Sequence, residues 1–515
     1  MGRTLLAVAV GLAVAGALPA AASASTICVN TSPGGCDSTF NSGELQNALD
    51  AAASNPGHDR VLIGPGTYSQ AGGFSYDVPA SPINTIDIVG AGVGQTTITA
   101  TSADDSRALL VITNRPIQQA DLSTLSDLTV QVPAGSNNQG LAFAGATAVG
   151  VAVTGPGMTS GAGVVLGGVF ASGSVSLPTG ASTVGVLEVG VDATLQDSLI
   201  VAADGVVNPS DVGATTYVRR SEIQATRGLL STVAGTLIAD NVLVRLSGAG
   251  QVGALSSGSA PLSPTLNGDH LTIVGNSSLS SDGVQIVGPA SATVTNSIIR
   301  GVDRSLHRDG TAGAANLTVS YSDYGTNNID TGAGTLTEGP GNLTNIAPVF
   351  VGSSDFHLQA TSPLIDAGDP AACGGADRDG GPRVVDGNGD GSPRTDIGAF
   401  EYQSGGETCP AAPPPAGAPP GDGGEPDATP PDTAITKHPK DRTKKKTATF
   451  EFTSSEAGST FECRLDETAF EPCTSPKTYK VKRGKHSFQV HATDPAGNVD
   501  GSPAADDWKV RKGRK

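Results

Sequence analysis

The chain holds no lysine in its first 430 residues and a single tryptophan, Trp508, in all 515. Those 430 residues carry 14 Arg against 37 Asp and Glu, a balance of −23. Residues 431–515 carry 17 Lys and Arg against 12 acids, a balance of +5, and the two give the net −18. A field of that sign repels phosphate, which excludes nucleic acid as partner of the long acidic region. Without Trp, sugar stacking there would fall to a few Tyr and Phe. No H-E-x-x-H, G-x-S-x-G or phosphate-loop motif occurs, and no Cys/His set has zinc spacing. Hydride, phosphoryl and zinc chemistry are set aside on that ground.

What is present is a turn-rich composition, with 69 Gly and 34 Pro, and apolar positions dominated by Val, Ile, Leu and Ala: the balance of an all-β chain of two or three units. Residues 1–24 combine Arg3, an apolar run from Leu5 to Leu18 and the small-residue end Ala22-Ser23-Ala24. They read as a secretion signal, too short for a bilayer span. No later segment is apolar enough to span, so a secreted or extracellular protein, cell-surface associated or free, is expected. Six cysteines in an exported chain read as disulfides. Fifteen pairings are open; the local one, Cys28 with Cys36, Cys373 with Cys409 and Cys463 with Cys473, keeps each bond within one expected unit.

Asn41-Ser42-Gly43-Glu44 supplies a helix cap, and Leu45, Ala48, Leu49 and Ala52 follow at helical spacing. From about residue 60 to 360 short apolar runs recur between Gly, Ser, Asn and Asp turns. Five segments superpose: "LQDSLIV", "VRRSEIQ", "IADNVLV", "NGDHLTI" and "VTNSIIR", with Ser198, Ser221, Asn241, His270 and Ser297 as their fourth residues. The spacing of roughly 20 to 29 residues fits one coil of a parallel β-helix, and about twelve coils at ~4.8 Å make a rod of roughly 60 Å. The helix would cover its first end.

The phrases "NSGELQNALDAAASNPGHDRVLIGPGTYSQ", "VTNSIIRG" and "GNLTNIAPVFVGSSDFHLQATSPLIDAGDP" running into "TDIGAFEY" resemble bacterial secreted right-handed β-helix proteins of the pectin-lyase-like superfamily, in the subgroup with exchangeable carboxy-terminal anchors. The resemblance implies the fold for residues 25–402 and leaves activity open, since that family mixes lyases, hydrolases and surface proteins. Residues 403–431 read as a Pro/Gly-rich linker. Residues 432–510, through "EAGSTFECRLD", "TSPKTY" and "ATDPAGNVD", resemble a bacterial immunoglobulin-like module, and 511–515 form a basic tail that could meet an anionic cell wall.

Counting six residues past each aligned fourth residue gives a polar column, Asp204, Arg227, Ser247, Asn276 and Asp303. Asp303 opens the charged patch "DRSLHRDG" with Arg304, His307, Arg308 and Asp309. Asp204, Arg227, Asp303, Arg304, His307 and Arg308 are therefore the catalytic candidates. A hydrolase would need Asp303 paired with Asp204 or with Asp282. Lyases of the family commonly use an Arg base with calcium. The stretch "VVDGNGDGSPRTDIGAFEY" places Asp386, Asn388 and Asp390 at calcium-loop spacing, but Ile397 stands where the bidentate Glu belongs. With Asp396, or Asp379, completing the shell, the loop could hold a structural calcium in the rod's closing cap. His270 reads as a packed or turn histidine. The leading expectation is a binding or structural role contacting polysaccharide or cell-wall glycan; the alternative is a polysaccharide lyase or glycoside hydrolase.

Overall fold

A computed structural model describes residues 25–31, 34–55, 57–77, 85–102, 106–112, 123–188, 190–276, 280–372, 375–404, 433–440, 442–454, 460–466, 470–473, 475–493 and 503–511. The secretion signal, Cys373 and Cys409, most of the linker and residues 512–515 lie outside them. The chain divides into two compact units, Met1–Pro413 and Pro414–Lys515.

The large unit is a parallel β-helix. A twelve-stranded ladder runs from Gly66–Gln70 to Leu343–Thr344, the number of coils expected from the repeat. Two further ladders complete the coil. Ala193–Gln196 of the second ladder leads to Leu199–Val201 of the first, then Asp204–Asn208 of the third, then Thr215–Arg219 of the second again. The second and third fuse where long strands such as Ser160–Ala171 and Arg304–Ser320 run through both.

Two columns of residue type make this stacking work. Val130, Val153, Val175, Ile200, Ile223, Val244, Ile273 and Ile299 lie in register along the first ladder and are wholly buried. Burial of each such side chain is worth about 1.5–3 kcal/mol. At the corner into the third ladder stand Gly163, Gly185, Gly205, Gly228, Gly253 and Gly283. A Cβ on Gly205 would lie 2.3 Å from Ile223 Cγ2 and 2.6 Å from the Gly228 carbonyl oxygen. The branched column leaves no room there for any side chain, so the glycines are dictated by close approach.

The other corner, from second to first ladder, is a two-residue turn whose first residue is left-handed: Asp197 (φ 50°), Arg220 (42°), Asn241 (56°), His270 (50°), Asn296 (49°) and Tyr321 (47°). The second residue is serine in most of these coils. Ser198, Ser297 and Ser322 donate their hydroxyls to the carbonyls of Gln196, Thr295 and Ser320. Each also accepts the amide of the matching residue one coil earlier: Gly173 at 3.1 Å, Leu271 at 3.0 Å and Ser297 at 3.0 Å.

At the first end, Leu45–Ser54 is helical and buries Leu45, Ala48, Leu49 and Ala52 against the opening strands, with Glu44 accepting the Asn41 amide at 2.8 Å. Cys28 and Cys36 are bonded.

The stretch 384–402 is expected in the rod's closing cap. Within residues 350–372 and 375–402 the chain instead doubles back along the outer side of the first ladder. Phe356, Ala399 and Phe400 cover Leu243 and Val274, while Leu358, Leu364, Ile365 and Ile397 cover Ile298 and Leu343. The covered strands present Leu243, Val274 and Ile298 outward, whereas in the uncovered coils the matching column holds Ser174, Leu199, which is left exposed, and Glu222. The last long strand, Ile329–Glu338, stays largely exposed.

The small unit packs a three-stranded sheet on a five-stranded one. Phe450 stacks on Phe488 at 4.0 Å and meets Trp508 at 5.2 Å, and Cys463–Cys473 bonds one hairpin.

Candidate functional site

The register separates the expected column. Asp204 pairs with Arg227, then Val252, Asp282 and Arg304 along the third ladder. Ser247, Asn276 and Asp303 fall outside it. Two causes combine. Asn241 and His270 occupy the first corner position, so the true matches of Ser198 in their coils are Val242 and Leu271. The turn after the first ladder also varies in length: Leu199–Val201 is followed at once by Asp204, whereas Leu243–Leu246 is followed by a loop before Val252. A fixed count of six runs out in that loop.

The candidates that do share the column neutralise one another. Arg227 binds Asp204 through Nε at 2.6 Å and Nη2 at 2.5 Å. Arg304 binds Asp282 in the same forked way, at 2.6 and 2.9 Å, and His307 Nδ1 lies 3.1 Å from the same carboxylate. Arg308 is buried, tied to Asp330 and to the carbonyls of Ala315, Gly332 and Ala333. Asp303 accepts the Ser280 amide and a bond from Asn327. Asp204 and the Arg304 coil are four steps apart, about 19 Å at the strand spacing. That exceeds the ~5–9.5 Å over which two carboxyls share a glycosidic bond and separates Asp204 from Asp303; Asp282 is one coil from Asp303 and is bound by Arg304.

The pair Asp204–Arg227 does line a cleft of about 290 Å³ with Thr179, Ser182, Ala203 and Thr226. It offers hydroxyls, a carboxylate and a guanidinium without an aromatic floor.

A second cluster was missed as a cluster, although His270 was singled out as a packed or turn residue. Asp269 Oδ2 lies 3.1 Å from His270 Nδ1, and His270 Nε2 lies 2.7 Å from Thr395 Oγ1. Asp240 stands in the neighbouring coil within metal-ligating reach of both. Burial, reinforced by Arg383, pushes the His270 pKa down to about 4, so the ring is neutral. Burial raises the Asp240 carboxyl, with Asp269 adding to it. For Asp269 burial is outweighed by bonds from His270, Thr295 and Asn296, and its pKa falls. The Asp–His–Thr order resembles a nucleophile relay, but Thr395 is wholly buried. Its hydroxyl fastens the returning segment to the corner.

Arg383 is the other fastening. Buried between the layers, it donates to Asn241 Oδ1, to the carbonyls of Gly398 (3.1 Å) and Ala399 (2.8 Å), and to Glu401 (3.3 Å). Burial lifts the Glu401 carboxyl to about 7 against the pull of Arg383. Burial and Glu401 together lift Asp396. The cue in the sequence was the apolar outward positions of "VLVRL" and "SIIRG", which require a cover.

The expected metal set divides. Asp386 accepts the amides of Gly389, Asp390 and Gly391, Asn388 accepts that of Asp390, and Asp390 that of Ser392. Asp396 belongs elsewhere, its two oxygens accepting the amides of Asp366 (2.8 Å) and Tyr402 (2.6 Å).

No protein-family profile matches the chain, and a search of curated proteins finds no match. Among solved structures, the chain is similar to the tailspike protein of Acinetobacter baumannii bacteriophage Fri1, a capsular polysaccharide depolymerase. The identity is 12% and the TM-score 0.30, over 95% of this chain and 78% of that one. At that TM-score the likeness carries no weight beside the ladders themselves.

Proposed function

We propose that the chain is an exported, extracellular or cell-surface β-helix protein whose large unit binds glycan as a scaffold. On this reading it is kin to the right-handed pectin-lyase-like β-helix proteins, with residues 403–431 as spacer and 432–510 as an immunoglobulin-like module. The observation that carries it is the cleft beside Asp204 and Arg227, whose hydroxyls and forked ion pair suit hydrogen bonding to sugar hydroxyls. Against the lyase or hydrolase alternative stands the pairing of Asp282 with Arg304 and of Asp204 with Arg227, which directs these carboxylates at guanidinium groups of the neighbouring coil.

Incubating the full chain with uronate and neutral polysaccharides tests it. Retention of a glycan that Asp204→Ala and Arg227→Ala weaken, with no new reducing or unsaturated ends, is the expected result. Release of such ends, abolished by Asp303→Ala or Asp282→Ala, would sink the proposal in favour of an enzyme.

A further inference from the structure

The small unit carries a charge arrangement of its own. Arg442, Lys509 and Lys485 stand directly opposite one another on three adjacent strands of the five-stranded sheet, so the side chains start about 5 Å apart. All three are exposed. None makes an ion pair with a described acid; His438, His486 and His491 each do. Like charges in register across strands repel and cost stability. The row forms part of a groove of about 830 Å³, lined further by Arg464, Gln489 and Asp507.

Two loops extend the positive field. Lys444–Lys446 and Lys480–Arg483 meet where the Val481 amide bonds the Lys446 carbonyl at 2.9 Å, and Arg511 joins through its amide on Thr443 at 2.8 Å. The segments 442–446, 480–485 and 509–511 contain no acid. The groove's own acids are Asp507, and Asp466, which holds His486 at 3.0 Å.

From this geometry we propose that the small unit binds a linear anionic polysaccharide, bearing carboxylate or phosphate, along the groove and its basic end. Cations kept in register without partners cost stability unless an anion lies across them. Lysine, a point charge on a flexible stem, suits a polymer met at intervals more than one fixed group. A single-stranded nucleic acid would need exposed rings for its bases, but Trp508 is buried and the Arg464 guanidinium already lies over Phe470 at 4.5 Å; a duplex, which is met through phosphates alone, is the competing outcome of the test.

The proposal concerns the other unit and does not rest on the cleft at Asp204. Full-length protein is titrated with polygalacturonate, a phosphate-bearing mannan, neutral dextran and duplex DNA at rising salt. Trp508, the chain's single tryptophan, reports the unfolding of this unit alone. Binding to one or both anionic polysaccharides is expected, with the arm that binds naming carboxylate or phosphate. The double variant Lys485→Gln, Lys509→Gln should weaken it roughly tenfold or more and leave the Trp508 melting midpoint equal or higher. A purely structural cation row would lower it. The triple variant Lys444→Gln, Lys445→Gln, Lys446→Gln repeats the test in a loop outside the sheet. The idea fails if both variants bind as the parent does, if dextran binds equally, or if DNA binds more tightly. It also fails if the cations mediate only self-association that soluble polymer does not reverse.

Discussion

In the large unit six arginines each meet a carboxylate one coil away: Arg220 with Asp197, Arg227 with Asp204, Arg245 with Glu222, Arg300 with Asp323, Arg304 with Asp282 and Arg308 with Asp330. In the small unit the row Arg442–Lys509–Lys485 faces no such partner among the described residues. The first arrangement joins neighbouring coils, and Arg220, Arg227 and Arg304 do so through the planar fork, which lysine lacks. All 14 cations of residues 1–430 are arginine, in keeping with that use. The second leaves charge available to an outside anion. In the large unit the arginines fasten coils, with Arg227 also lining the proposed glycan cleft; in the small unit the cations stand open to the proposed anion.

The comparison breaks first where a fastening is buried. Arg383→Ala would strand Asn241, two carbonyls and Glu401, and should cost about 3–5 kcal/mol, measured by denaturant unfolding followed by circular dichroism. Early cleavage within residues 345–402 in limited proteolysis would accompany it. Gly205→Ala places a methyl against Ile223 and should cost about 1–3 kcal/mol. Ser221→Ala leaves the Ser198 amide without its acceptor and should cost about 1–3 kcal/mol; an unchanged midpoint in either variant would contradict the stacking described here.

Acidity gives a further test of the fastening. Below about pH 4.5, the ordinary value for Glu, Glu401 is protonated folded and unfolded. Between there and about 7 the unfolded chain releases a proton that the folded one keeps. Stability of the large unit should therefore fall as pH rises through that window and level off above it. Glu401→Gln, which mimics the protonated acid, should flatten the slope. The smallest effect is expected at the exposed pair: Arg227→Ala should change stability by less than about 1 kcal/mol while weakening glycan retention. A large loss of stability there would assign the pair to the scaffold alone.

Much of this was legible in the residues. The coil repeat and the capping helix followed from apolar spacing, because inward Val and Ile recur once per coil whatever the turns do. The column was not legible past Arg227, since Asn241 and His270 fill a left-handed corner position that polarity alone cannot tell from the serine beside it. Nor was the returning segment, because its fastenings join Arg383 to Asn241 and Thr395 to His270 across more than a hundred residues. Asp396 looked like a ligand by spacing; only the fold shows its oxygens on the Asp366 and Tyr402 amides.

The path of residues 350–402 has a mechanical consequence. Because the chain leaves the β-helix from beside the first ladder, tension applied beyond residue 404 would enter sideways, loading Arg383, Thr395 and the apolar contacts on Leu243 and Ile298 together in shear. The exposed final coil, Ile329–Glu338, would not be peeled strand by strand, and the β-helix would resist as a block.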